Sequence, residues 1–123
     1  MTLYCGIDLH ANNSVVSVLD DQDQVRYEKR LPNDLTLITD TLLPFHKDLL
    51  ACVVESTYNW YWLVDGLMDA GFDVRLAHTG AIPQYAGIKY TDDETDARHL
   101  AHLLRLGICL LYTSDAADDR YKV

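Results

Sequence analysis

Hydrophobic and polar positions along the first part of the chain fall into three short runs. Residues 3–8, Leu-Tyr-Cys-Gly-Ile-Asp, read as a strand that ends on a carboxylate. A polar turn from His10 to Asn13 leads into residues 14–19, Ser-Val-Val-Ser-Val-Leu, a second strand. After a turn at residues 20–23, Val25, Tyr27, Lys29 and Leu31 hold alternate positions within residues 24–31. Runs of this length with short polar connections predict an antiparallel three-strand meander.

The period then lengthens. Pro32, Asn33 and Asp34 open a helix with Leu35, Ile38, Leu42 and Phe45 on one face, and Pro44 limits its length. Residues 49–55, Leu-Leu-Ala-Cys-Val-Val-Glu, are a near-continuous apolar run of strand length, the pattern of a strand covered on both faces. This strand too ends on a carboxylate. Trp60, Leu63, Val64, Leu67 and Met68 recur at helical spacing, and Gly71 stands where a C-terminal cap belongs. Such a stripe is core, not a cofactor box. Residues 72–77 predict a fifth strand, followed by a loop through Gly80, Pro83 and Gly87. Thr91 and Glu94 are spaced as a capping box, and the helix they open runs to about Gly107 with Ala97, Leu100, Ala101 and Leu104 as its apolar stripe. The order predicts an α/β fold: a mixed sheet with the meander first, then two parallel strands, and helices packed on it.

Composition narrows the class without naming it. The 123 residues make one domain, and 49% hydrophobic content supports a core. Apolar runs are far too short to cross a bilayer, and the start has no basic segment of the kind a secretory signal needs. Cys5, Cys52 and Cys109 are widely spaced with no Cys-x-x-Cys pair, which fits a reduced compartment and argues against a zinc knuckle or a disulfide framework. The net charge of −9 sits awkwardly with binding nucleic acid, unless the basic surface lies elsewhere or the acids are there to hold cations.

The last segment departs from the pattern. From Cys109 onward there is no periodicity. Reverse-translated, residues 109–118 can be spelled TGT CTC TTA TAC ACA TCT GAC GCT GCC GAC, which resembles a transposon-end adapter used to build sequencing libraries. The expectation is a domain over residues 1–108 and a non-native read-through tail over 109–123.

Four acids stand out. Asp8 and Glu55 each terminate an apolar strand, where sheets of this kind build their sites. A carboxylate there is costly unless it is paired or holds a metal. On the last helix, at about 100° per residue, Asp93 and Asp96 fall on the side of the apolar stripe, about one turn apart, while Asp92 and Glu94 fall roughly at right angles to it. Acids in a first turn also complement the helix dipole, which accounts well for Asp92 and Glu94 and poorly for Asp93 and Asp96. Converging carboxylates can hold two divalent ions about 3.5–4 Å apart for phosphate-ester chemistry. Hard oxygen ligands select magnesium or manganese over zinc.

Three blocks carry a resemblance. Gly6-Ile7-Asp8-Leu9-His10, Val54-Glu55-Ser56-Thr57-Tyr58 and Thr91-Asp92-Asp93-Glu94-Thr95-Asp96-Ala97-Arg98 resemble signature blocks of the insertion-sequence-110 family of transposases, over about residues 3–107. The third block, with the following Leu100, is the most specific. The resemblance implies a ribonuclease-H-like, RuvC-like N-terminal catalytic domain whose Asp-Glu-Asp-Asp metal set is Asp8, Glu55, Asp93 and Asp96, with Mg2+ or Mn2+ as cofactor. It further implies metal-dependent DNA cleavage and strand exchange during transposition, with DNA as partner and, in some members, a guide RNA encoded by the element. A homo-oligomer of the full-length protein, acting in the bacterial cytoplasm at the nucleoid, is implied as well. Family members also carry a C-terminal domain with a nucleophilic serine. No serine here is assigned that role, so the expectation is an enzyme's catalytic front part, inactive alone.

Around the acids, Arg98, His10, Thr57 and Lys89 are candidates for contacting nucleic acid or orienting a carboxylate. His10 reads as a turn residue at the mouth of the site, with direct ligation as the alternative. Lys89, Arg98 and Arg105 are the cations placed to meet phosphates, and Thr57 and Tyr58 adjoin Glu55. Tyr58, Trp60 and Tyr61 could stack on bases, although core packing accounts better for Trp60. His46, His78, His99 and His102 lack the spacing of a zinc site. Two other functions share part of the pattern. A Holliday-junction resolvase of the same fold would use the same acids without a serine domain. An actin-like ATPase also begins Gly-Ile-Asp, but its phosphate-holding glycine and hydroxyl residues are absent from His10-Ala11-Asn12-Asn13.

Overall fold

The computed structural model describes residues 1–55, 59–77, 93–107 and 111–112, with the backbone alone for 93–96 and 111–112. Its meander consists of β1 (Leu3–Leu9), β2 (Asn13–Leu19) and β3 (Val25–Pro32), paired antiparallel with Asp8 opposite Val15, Val15 opposite Arg30 and Ser17 opposite Glu28. β4 (Leu49–Glu55) lies parallel to β1, and β5 (Val74–Ala77) parallel to β4. The sheet order is β3-β2-β1-β4-β5, the mixed arrangement expected, extended by β6 (Leu111–Tyr112) antiparallel to β5. β6 falls in the aperiodic segment, where no strand signal exists.

Alternation along each strand divides the side chains between two layers. Cys5 and Ile7 of β1, Val16 and Val18 of β2, and Cys52 and Val54 of β4 face one core, closed by Ile38 and Leu42 of α1 (Leu35–Leu42) and Leu63 and Leu67 of α2 (Tyr61–Asp69). α1 starts within the predicted opening of Pro32, Asn33 and Asp34, with Asp34 as its cap, Oδ1 accepting from the Leu37 amide at 3.2 Å. Pro44 lies in the 3-10 turn Leu43–Phe45 that closes it. Beyond α2, Gly71 has φ +93°, the left-handed conformation open to glycine, and the amides of Gly71 and Phe72 return to the carbonyls of Met68 and Leu67. Trp60 is buried against this core, stacked on Tyr61 with ring centroids 4.0 Å apart.

Cys5 and Cys52 are free, buried and in register on neighbouring strands. The hydrogen bond with Cys52, then burial, push the Cys5 thiol well above its ordinary value, so Cys5 behaves as a small apolar residue.

The other face lies under α3 (Asp93–Leu106), where Leu100, Leu103 and Leu104 pack on Ala51, Val53 and Ala77 beside Tyr4. The predicted stripe of Ala97, Leu100, Ala101 and Leu104 is buried. α3 crosses β1 at Gly6. A Cβ there would stand 2.7 Å from the Ala101 nitrogen and closer still to the Ala97 carbonyl oxygen, so helix backbone rests directly on strand backbone. Among the described residues, no helix is long and apolar enough to cross a membrane.

Candidate functional site

Two strand ends bring two carboxylates together. Asp8 follows Gly6 by two residues and shares its face, under α3; Glu55 follows Val53 by two and shares that same face. Ile7 pairs with Val54, so Asp8 and Glu55 come next along adjacent parallel strands, whose backbones run about 4.8 Å apart. Asp8 is buried, 5% exposed, and Glu55 is half-buried.

α3 runs antiparallel to β1. Its middle crosses Gly6, and Arg105 near its C-terminal end reaches Asp23 in the turn beyond β2. Its N-terminal end therefore lies toward the carboxyl ends of β1 and β4. Asp93 opens the helix four positions before buried Ala97, and Asp96 stands four before buried Leu100. The side chains of Asp93 and Asp96 lie outside the described residues, as do Thr57, Lys89 and the cap residue Thr91. Among the described residues no group of three or more His, Cys, Asp or Glu side chains converges.

His10 sits on Asp8, its Nε2 2.9 Å from Asp8 Oδ2. The turn that carries it is braced by Asn33, whose Nδ2 donates to the carbonyls of His10 at 2.7 Å and Ala11 at 3.2 Å, while its Oδ1 accepts from the Ser14 hydroxyl at 2.7 Å. Asn33 is a positioning residue that the sequence marks only as part of a helix opening. Gly6 is the other, and it did carry a signal: an isolated glycine inside an apolar strand marks close backbone approach.

Two arginines read as phosphate contacts are engaged by carboxylates. Arg98 grips Glu28 of β3 with both arms, Nε to Oε1 at 2.6 Å and Nη2 to Oε2 at 2.7 Å, and Ser17 donates to the same Oε1 at 3.1 Å. Arg105 grips Asp23 in the same way at 2.7 and 3.0 Å, and His102 Nδ1 lies 2.7 Å from Asp23 Oδ2. These paired forks hold α3 along the meander.

Burial pushes the Asp23 carboxyl up, but the hydrogen bond from Arg105 and the charges of His102 and Arg105 outweigh it and hold the group below its ordinary value. The unfolded chain then takes the proton first. The clamp's contribution is complete above the ordinary carboxylate value, about 3.9, and is lost as pH falls through the lower folded value. Asp23→Asn should lower Tm at neutral pH and flatten the acid side of the Tm-against-pH curve. Curves that stay parallel for variant and parent down to pH 2 would refute this role.

The fold has solved counterparts. RuvC of Thermus thermophilus in complex with Holliday junction substrate superposes with a TM-score of 0.62 at 13% identity, covering 87% of this chain and 97% of RuvC. A second Thermus thermophilus RuvC structure gives 0.60 at 13% identity, with 90% and 99% covered. At that identity the likeness shows a shared ribonuclease-H-like fold. No curated protein matches the chain. A family model described as a transposase, the DEDD type of insertion sequence 110, matches residues 5–122. The chain belongs to that family of transposases.

Proposed function

We propose that Asp8, Glu55, Asp93 and Asp96 together hold divalent metal, magnesium or manganese, and that this end of the sheet cleaves and exchanges DNA strands during transposition. The observation that carries the reading is the placement of Asp8 and Glu55 side by side on the face toward which the N-terminal end of α3 is directed. Their donors are hard oxygens, which suit these ions. Bound there, the metal would supply charge stabilisation for the attacking and leaving oxygens of phosphoryl transfer.

The chain's own part is to hold the carboxylates still. Asp8 is fixed by a buried strand and by His10, and α3 is set by Gly6 and the two arginine forks. Rigid elements, not loops, thus carry the acids. The family resemblance extends the proposal to a guide RNA from the element and to a homo-oligomer of the full-length protein acting at the bacterial nucleoid. RuvC's structure with a Holliday junction favours a branched DNA as the first substrate to try.

Calorimetric titration with manganese should show saturable binding accompanied by a rise in Tm. No heat and no rise at millimolar ion would reject the reading.

A further inference from the structure

Sheet register sets a cation in the same row as the two carboxylates. Val15 pairs with Asp8 on one side and Arg30 on the other, so Arg30, Val15, Asp8 and Glu55 form one row across four strands. All four share the α3 face, since Glu28, two residues before Arg30, reaches Arg98 there. With strands about 4.8 Å apart, the Arg30 backbone lies about 10 Å from that of Asp8. Arg30 is exposed and donates Nη1 to Asn13 Oδ1 at 2.6 Å, which ties its guanidinium to the start of β2.

β3 ends the sheet order and gathers basic charge. Arg26 and Arg30, two of the ten basic residues in a chain of net charge −9, are exposed on the α3 face of β3, while the exposed Lys29 alternates to the face of Tyr27 and Leu31. Glu28 is matched by Arg98, and Asp20 lies 3.6 Å from Arg26.

We propose that β3 is a phosphate-binding track, headed by Arg30, for the backbone of the DNA strand that runs to the carboxylates. This rests on the reading of Asp8 and Glu55 as part of the cleavage site. A chain this acidic repels DNA over much of its surface, so contact has to be made where cations are gathered. At 3.4 Å per nucleotide along one strand, about 10 Å is roughly three nucleotides. Arg30 therefore grips the backbone roughly three nucleotides from the reacting phosphate, where a guanidinium fork matches the geometry of phosphate oxygens.

The test is fluorescence anisotropy of labelled duplex and four-way-junction DNA with the whole chain, across a salt series, with and without calcium as a hard-oxygen stand-in for the metal. Arg30→Ala is compared with Arg30→Lys and with Lys47→Ala, which removes the same charge from the exposed stretch before β4. Arg30→Ala should lower the slope of log affinity against log salt by about 0.9, an affinity loss between about 50 and 200 mM salt that is roughly 3.5-fold smaller than the parent's. Arg30→Lys should keep most of the slope, and Lys47→Ala all of it. Equal slopes for Arg30→Ala and Lys47→Ala, or no DNA binding by the parent chain, would overturn the track. A slope change at Arg30 in a chain that takes up no manganese would keep the track and remove the metal reading instead.

Discussion

Gly6→Ala is expected to lift α3 off the sheet. The added methyl meets helix backbone, the Ala97 carbonyl oxygen and the Ala101 amide, and neither can turn aside as a flexible side chain could. Overpacking in a close-packed interior costs about 1–3 kcal/mol when neighbours can give, and a backbone collision belongs at or above the top of that range. For a chain of this size about 3 kcal/mol corresponds to a fall in Tm of roughly 10 °C. The two layers can be followed separately. Trp60 and Trp62 both pack with the α1–α2 core on the opposite face, so their fluorescence reports that layer, while α3, with 14 residues, is the longest helix of the described residues and dominates the helical circular dichroism. An isolated helix of that length is marginal in water, so undocking removes its signal. Loss of helical signal with tryptophan emission retained is the expected result. A variant that melts within about a degree of the parent, with full helicity, would show that β1 and α3 are not held at this crossing.

Much of the fold was legible because its signals are local. Asp34 caps α1, Gly71 ends α2 with a positive φ, and alternation in the first thirty residues yields the meander. Each of these depends on residues within a few positions of one another. The side-by-side placement of Asp8 and Glu55 was legible more indirectly, as two apolar strands that both stop on an acid. The arginines were not legible. Arg98 meets Glu28 across 70 positions and Arg105 meets Asp23 across 82, and such pairs exist only once α3 lies over the meander. The row that joins Arg30 to Asp8 was hidden for the same reason: it is a property of register, set by the lengths of two turns. Gly6 is the instructive case, since a glycine in a strand is a local signal whose meaning, a helix pressed against it, is wholly tertiary.

Asp8→Asn is expected to abolish ion binding and at the same time to make the ion-free protein more stable. The carboxyl is 5% exposed and stands on the strand next to Glu55, so two like charges are held about 5 Å apart at the backbone, partly out of water. Asparagine keeps the shape and can still accept from His10, but it removes the repulsion, a relief of about 1 kcal/mol even where the pair is screened as in bulk water. Near Tm that is a gain of roughly 4 °C. The ion should act in the opposite sense on the parent. At 100 times its Kd it stabilises by about 2.7 kcal/mol, roughly 10 °C, and the variant should show none of this rise. Packing residues such as Gly6 lose stability with or without metal, whereas a residue placed for chemistry carries strain that its removal relieves. Melting curves of Asp8→Asn with and without manganese separate the two cases. A variant that is less stable than the ion-free parent would mark Asp8 as a structural partner of His10, and one that keeps the ion-dependent rise would remove Asp8 from the metal set.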